Sequence, residues 1–465
     1  KADRPVWCPS ADKKRSTPAA GGRWGEGIRR TTAAISQTMG PEAVVAAIGQ
    51  AGESRVPMSV MICSVSHSAG GIGSVMGAKN LKAGVLRGSS RVCVADPQGV
   101  EILADSLRHK RLSTLTAKYR EIGTVANLAV FNRLGTLPTR NFQQSTFDAA
   151  EALSGETLTE NSFSRRHGCA SCTIQCERLF KAGNGEEQRL EYETLFALGP
   201  LCGIDNPAAV LRAAQLCDQY GLDTISAGGT LAWAMECSDK GLLPRAQELR
   251  FGDAESVFAA LTAIAERDGI GALLADGSRR AALEIGDDAS YWAMHVKGLE
   301  LPGYEPRSLK TMALGLAVSP RGACHNRSGA YEADFSGEVD RLTADAGRGS
   351  LVAASEDFAA VLDSLIVCKF LRKCFNDFYR DGAELLRTVT GWDISSAELQ
   401  RIGTRIHTMK KLFNIREGWQ LKDDWLPERL LSERLPTGVA RGVGLSADEL
   451  RGMIQGYFKD RKSVV

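Results

Sequence analysis

The sequence predicts an α+β chain, a sheet-rich N-terminal part followed by two mainly α-helical parts, and three observations carry that prediction. Short β-like runs alternate with glycine-rich turns over about the first 95 residues. Long amphipathic periods dominate from about Phe147 onward. Glycine and proline then punctuate Lys297-Gly298-Leu299-Glu300-Leu301-Pro302-Gly303-Tyr304, which places a boundary between two helical stretches.

In order along the chain, the β-like runs are Val44-Val45, Val60-Met61-Ile62, Val85-Leu86 and Val92-Cys93-Val94, and they form a first domain over residues 1–97. A helical domain over 98–294 contains Ala208, Val210, Leu211, Ala214, Leu216 and Cys217, spaced to bury one helix face. A second helical domain covers 295–465. This division fits the two to four units expected at ~150 residues each.

Composition excludes several classes of function. The chain is 43% hydrophobic and 24% charged with a net charge of +2, so neither disorder nor a nucleic-acid partner is indicated. No apolar run reaches the ~18 residues of a membrane span. The start, Lys1-Ala2-Asp3-Arg4-Pro5, is neither a signal peptide nor a methionine start. Twelve cysteines in 465 residues are too sparse for a disulfide scaffold, and Cys217 and Cys237 fall in apolar helical patterns as buried thiols. A cytoplasmic enzyme fits this composition.

Chemistry concentrates in His167-Gly168-Cys169-Ala170-Ser171-Cys172-Thr173-Ile174-Gln175-Cys176. CxxCxxxC brings three thiols within reach of one iron–sulfur cluster. Zinc and a structural group of thiols are the alternatives, but no second C-x2-C occurs to complete a zinc ribbon. The uneven, cysteine-only spacing favours the cluster, with a fourth ligand from elsewhere in the chain. Asp218-Gln219-Tyr220-Gly221-Leu222-Asp223 and Asp363-Ser364-Leu365-Ile366-Val367-Cys368 share a second pattern. Each sets a carboxylate five residues before an Asp or Cys where a helix is expected to end, a place that exposes backbone groups to a ligand. Cys368 is the candidate fourth ligand.

With these motifs the chain resembles the aldehyde ferredoxin oxidoreductase family, tungsten-pterin enzymes marked by CxxCxxxC, two D-x-x-G-L-(D/C) motifs and a glycine-rich segment. That segment reads here as Gly70-Gly71-Ile72-Gly73-Ser74-Val75-Met76-Gly77-Ala78-Lys79-Asn80-Leu81-Lys82-Ala83. Glu191-Tyr192-Glu193-Thr194-Leu195, Lys297-Gly298-Leu299-Glu300, Arg321-Gly322-Ala323-Cys324-His325 and Phe413-Asn414-Ile415-Arg416-Glu417-Gly418 follow in family order.

The resemblance implies a tungsten (or molybdenum) bis-pterin, a [4Fe-4S] cluster and a magnesium ion bridging the pterin phosphates. It implies Cys169, Cys172, Cys176 and Cys368 as cluster ligands. Asp218 and Asp363 accept from pterin amino groups, with Leu222, Asp223 and Val367 presenting backbone nearby. Gly70 and Gly71 line the pterin, Arg327 lies near its phosphate, and the N-terminal domain is pterin-binding. Glu193 takes up a proton, with Glu191 as runner-up, and His325 hydrogen-bonds the substrate oxygen. The activity implied is oxidation of an aldehyde to a carboxylic acid, with electrons leaving singly through the cluster to ferredoxin or an electron-transfer subunit, in an oligomer.

Departures from the family pattern qualify this picture. Two arginines of R-A-A-G-R-G-G align with Val65 and Ala69, leaving His67, Ser66 and Ser68 as substitutes for the anion grip. Ile366 stands where glycine is usual. Arg212-Ala213-Ala214-Gln215 replaces the E-x-x-H of archaeal members, so no bridging iron between subunits is expected. The sequence also begins inside the family's N-terminal domain, which therefore reads as truncated. Two other functions stay open: reduction of an aromatic acyl coenzyme A thioester in a larger complex, which a thiolate at Cys202 would favour, and a non-catalytic cluster-bearing subunit.

Overall fold

Alternation along Val44–Ile48 sends Val45 and Ala47 inward, and that two-residue period seeds the first sheet. The computed structural model describes residues 6–9, 14–17, 22–64, 69–88 and 93–462. Strands β1 (Val6–Pro9), β2 (Lys14–Thr17), β3 (Val44–Ile48), β4 (Met61–Cys63), β5 (Ala69–Gly70) and β6 (Ala83–Leu86) form one sheet in the order β2-β1-β6-β3-β4-β5. Val45 faces Val85 across the antiparallel β3–β6 pair, and helix α1 (Ile28–Met39) lays Ile28 and Ile35 on the same apolar cluster. Three of the β-like runs thus become strands. The fourth does not: Cys93 and Val94 carry no strand, and the helix Pro97–Arg111 starts directly afterwards, capped by Asp96 accepting from the Gly99 amide at 2.9 Å. Val92 and residues 65–68, which include Val65 and the candidate substitutes Ser66, His67 and Ser68, lie outside the described residues, whereas Ala69 opens β5.

The chain separates into two compact units. The first comprises Lys1–Ser90, Thr124–Arg133 and Leu137–Met294; the second comprises Arg91–Gly123, Leu134–Thr136 and His295–Val465.

Besides the sheet, the first unit carries helices α2 (Gln50–Glu53) and α3 (Gly73–Ala78), and a meander of β7 (Phe163–His167), β8 (Glu177–Lys181) and β9 (Glu187–Leu190). It continues with α4 (Tyr192–Leu198), α5 (Pro207–Tyr220), α6 (Thr224–Asp239) and α7 (Ala254–Glu266). Local chemistry sets the limits of α5. Asn206 accepts from the amides of Ala208 and Ala209, Pro207 occupies the first turn, and Gly221 ends the helix at φ +75°. Val210, Leu211, Ala214, Leu216 and Cys217 are buried as the spacing predicts, whereas Ala208 faces solvent because it lies in the first, capped turn. Helix α6 is buried nearly all round, including Trp233 and Cys237, as a central core helix must be.

In the second unit, α8 (Lys310–Val318), α9 (His325–Ser328) and α10 (Arg348–Ser364) precede α11 (Phe378–Thr390), α12 (Ser396–Arg416) and α13 (Ala447–Asp460). Val361 and Leu362 of α10 close a core with Phe378 and Ala383 of α11 and Leu399 of α12. No single helix among the described residues is long and apolar enough to cross a membrane.

Candidate active and cofactor-binding site

The cysteine run is the connection between β7 and β8. Register pairing His167↔Glu177 closes its neck, and a Cβ on Gly168 would stand 3.0 Å from the Gln175 Cα, so this position has little room for a side chain. Ser171 and Gln175 take left-handed conformations at φ +60° and +48°, and the Cys172 amide bonds the Cys169 carbonyl at 2.9 Å. Such a curled loop turns its thiols outward: Cys169 is exposed, and Cys172 and Cys176 are half-buried. Displaced solvent and then the neighbouring Cys172 push the Cys169 pKa up, because two adjacent thiolates repel each other. An iron–sulfur core relieves that repulsion, so the donor set fits it. Among the described residues no three His, Cys, Asp or Glu side chains group closely enough to hold one metal ion.

Asp218 sits in the last turn of α5 and Asp363 in the last turn of α10, so both paired motifs end helices. In the first copy, Asp223 caps α6 by accepting from the Ser226 amide at 2.8 Å, and Leu222 bridges to Ser59. Gly221 is required there: a Cβ would lie 3.0 Å from the Val60 carbonyl oxygen and 3.1 Å from the Gly49 nitrogen. In the second copy Ile366 takes φ +55° with 91% of its surface exposed, Val367 is half-buried against the apolar core, and Cys368 is exposed. The close backbone approach of the first copy does not recur at Ile366.

Neither carboxylate stands alone. Arg189 of β9 forks onto Asp218, with Nε to Oδ2 at 3.0 Å and Nη2 to Oδ1 at 2.9 Å, and Gln188 adds a 2.7 Å bond. Arg327 pairs with Asp363. A carboxylate has about four lone-pair positions, so each Asp keeps acceptor capacity for a donor-rich pterin edge. Gly70 ends β5, and Gly71 follows with nothing within 4 Å of its Cβ position. Arg327 also lines a cavity of about 450 Å³ within the second unit, together with Arg321, Glu356, His407, Lys410 and Phe413.

Glu193 is half-buried in the first turn of α4, in the first unit, and Glu191 is exposed at the N-cap of the same helix. His325 opens α9 in the second unit, against the rings of Tyr304 and Tyr331. The imidazole keeps part of its surface open yet lies deep among protein atoms. Loss of solvent, then Lys369 and Arg321, pulls its pKa down to about 3, so it is neutral at ordinary pH. Burial likewise lowers Lys369 to about 8, beside the positive Arg372. Cys202 is fully buried, donates to the carbonyls of Ala197 and Gly228, and has a pKa pushed up to about 12 by burial. It is a packed thiol, not a thiolate.

Sequence reasoning missed Arg189, Tyr304 and Lys369. Arg189 alternates with buried Gln188 and Leu190 on a short strand, which marks it as facing the other way but names no partner.

Comparison with known proteins bears on the whole chain. A family model described as aldehyde ferredoxin oxidoreductase, N-terminal domain, matches residues 1–88, and one for domains 2 & 3 matches residues 102–462. The tungsten-containing aldehyde ferredoxin oxidoreductase of Pyrococcus abyssi is 34% identical over 99% of this chain and 78% of its own length. The chain belongs to the aldehyde ferredoxin oxidoreductase family. It is an oxidoreductase of that type. The Pyrococcus furiosus protein of the same name is also 34% identical, over 99% of this chain and 78% of its own length. An aliphatic sulfonate oxidoreductase, WOR-like subunit, from Pyrococcus furiosus is 29% identical over 89% of this chain and 66% of its own length. The active-site complex BamBC of a benzoyl coenzyme A reductase shares the fold of this family member, with a TM-score of 0.81 at 22% identity over 99% of this chain and 77% of that one.

Proposed function

We propose that this enzyme oxidises aldehydes to carboxylic acids at a tungsten (or molybdenum) bis-pterin centre, passing electrons singly through a [4Fe-4S] cluster to ferredoxin or a partner subunit. One observation carries the reading: relatives 34% identical along 99% of the chain are named tungsten-containing aldehyde ferredoxin oxidoreductases. The metal-pterin centre, when bound, supplies the two-electron acceptor that no side chain provides.

The chain's own residues bind, orient and move protons. Cys169, Cys172, Cys176 and Cys368 hold the cluster as thiolates. Asp218 and Asp363 accept from the pterin amino groups, which would otherwise be buried unpaired; Leu222, Asp223, Val367, Gly70 and Gly71 present backbone, and Arg327 grips phosphate. A magnesium ion offsets the buried phosphate charge. His325, held neutral, donates one N–H to the substrate oxygen without adding a charge, and Glu193 takes up the released proton. Cytoplasmic placement suits reduced thiolates, and the organisation proposed is a pterin-binding sheet domain over 1–97 with helical domains over 98–294 and 295–465, in an oligomer.

The test is metal content combined with an anaerobic dye-reduction screen of aldehydes and aromatic coenzyme A thioesters. Tungsten, about four irons per chain and aldehyde-dependent reduction are expected. Iron without tungsten, and no turnover of either class, would mean a non-catalytic subunit. The thioester reading is disfavoured by Cys202, whose protonated, sealed thiol offers no thiolate to a substrate.

A further inference from the structure

The same guanidinium that grips Asp218 also reaches the neck of the cysteine loop. Arg189 Nη1 lies 3.9 Å from Glu177 Oε1, and Glu177 Oε2 is 2.6 Å from His167 Nδ1. Glu177 follows Cys176 directly, and its side chain is 7% exposed; those of Arg189 and Asp218 are 23% exposed. A continuous polar chain therefore runs Asp218–Arg189–Glu177–His167, from the end of α5 to both strands flanking the three thiols. Burial alone would lower the Arg189 pKa, but Asp218 raises it well above the ordinary guanidinium value, so its charge is permanent.

We propose that Arg189 is a positioning residue that locks the Asp218 acceptor to the cysteine hairpin and keeps one fixed positive charge beside the cluster. The inference rests on the cluster and pterin reading above. Its physical content is separable from folding: a nearby cation favours the reduced, more negative cluster, and a fork onto both carboxylate oxygens fixes their direction in a way that one ammonium cannot.

The experiment is a redox titration of the cluster in the intact enzyme, followed by electron paramagnetic resonance, with iron content measured on each sample. Arg189→Gln should shift the midpoint potential to more negative values at unchanged iron content. Arg189→Lys should leave the potential at the wild-type value but fail to restore turnover. Asp218→Asn, which removes the opposing negative charge, should shift the potential the other way and serves if Arg189→Gln does not fold. An unchanged potential in iron-replete Arg189→Gln, or an equal shift in Arg189→Lys, overturns the inference alone. Wild-type protein lacking iron, or a Cys169→Ser variant keeping its full cluster spectrum, overturns the underlying reading and the inference with it.

Discussion

The Tyr304 ring lies nearly parallel to the His325 imidazole, centroids 5.3 Å apart at 29°, and Tyr331 completes a triangle at 4.8 Å from Tyr304 and 6.4 Å from His325. Tyr304 itself is 4% exposed, so it brings no water to the imidazole. This packing, with the positive Lys369 and Arg321, is why the imidazole stays neutral down to about pH 3.

Turnover should therefore show no acid limb from His325 near neutrality. His325→Ala should lower kcat by ~10²–10⁴ while leaving the iron absorbance intact. Tyr304→Leu should admit water, raise the imidazole pKa and bring an acid limb into the pH–rate profile, whereas Tyr304→Phe should not. A His325→Ala enzyme turning over at the wild-type rate would remove the histidine from the mechanism.

Ile366 and Gly221 occupy the same place in the two paired motifs and make opposite predictions. A β-branched residue at φ +55° carries ~1–2 kcal/mol of backbone strain, and at 91% exposure Ile366 recovers little of it by packing. Ile366→Gly should stabilise the protein by roughly 1 kcal/mol after the added chain entropy of glycine, read as a higher denaturation midpoint. Gly221→Ala should destabilise by at least ~1 kcal/mol, because it meets both a positive φ and a crowded backbone. Equal effects of the two changes would show that the second motif is as tightly enclosed as the first.

What the sequence made legible follows from which forces are local. Asn206-Pro207 and Gly221 announce the ends of α5, because caps are made by the nearest amides. The CxxCxxxC run announces its loop by spacing alone. Val92-Cys93-Val94 is equally strand-like as a sequence, but its described residues, Cys93 and Val94, carry no strand, and Asp96-Pro97 starts a helix two residues later. Arg189 was invisible because its partner is 29 residues away and reached across a sheet edge. The neutrality of His325 was invisible for the same reason: Tyr304 and Lys369 come from other segments of the second unit.

Cys202→Ala should leave turnover within about twofold of wild type, since a thiol with a pKa near 12 is neither a nucleophile nor a ligand at working pH. Its cost should appear in stability instead, ~1 kcal/mol from lost packing in a fully buried position. A collapse of thioester-dependent activity in this variant would revive the ring-reducing reading.

A buried pair in the second unit predicts an unusual dependence of stability on pH. Tyr457 bonds Glu356 at 2.7 Å and His407 at 3.0 Å, and Arg461 closes the group on Glu356 at 3.1 Å. Burial lowers His407 from 6.5 to about 3, so the unfolded chain binds more protons between those values, and stability from this group is lost as pH falls below 6.5. Burial raises Glu356 from 4.5 to about 7, so the folded chain binds more protons there, and stability is lost as pH rises through that range. Between 4.5 and 6.5 the two slopes oppose each other and nearly cancel. Glu356→Gln should leave the histidine slope uncovered, a loss of up to ~1.4 kcal/mol per pH unit on acidification. His407→Gln should give the reverse sign. Urea unfolding at both ends of the window measures each slope, and two variants with slopes of the same sign would mean that the proton is not held on Glu356.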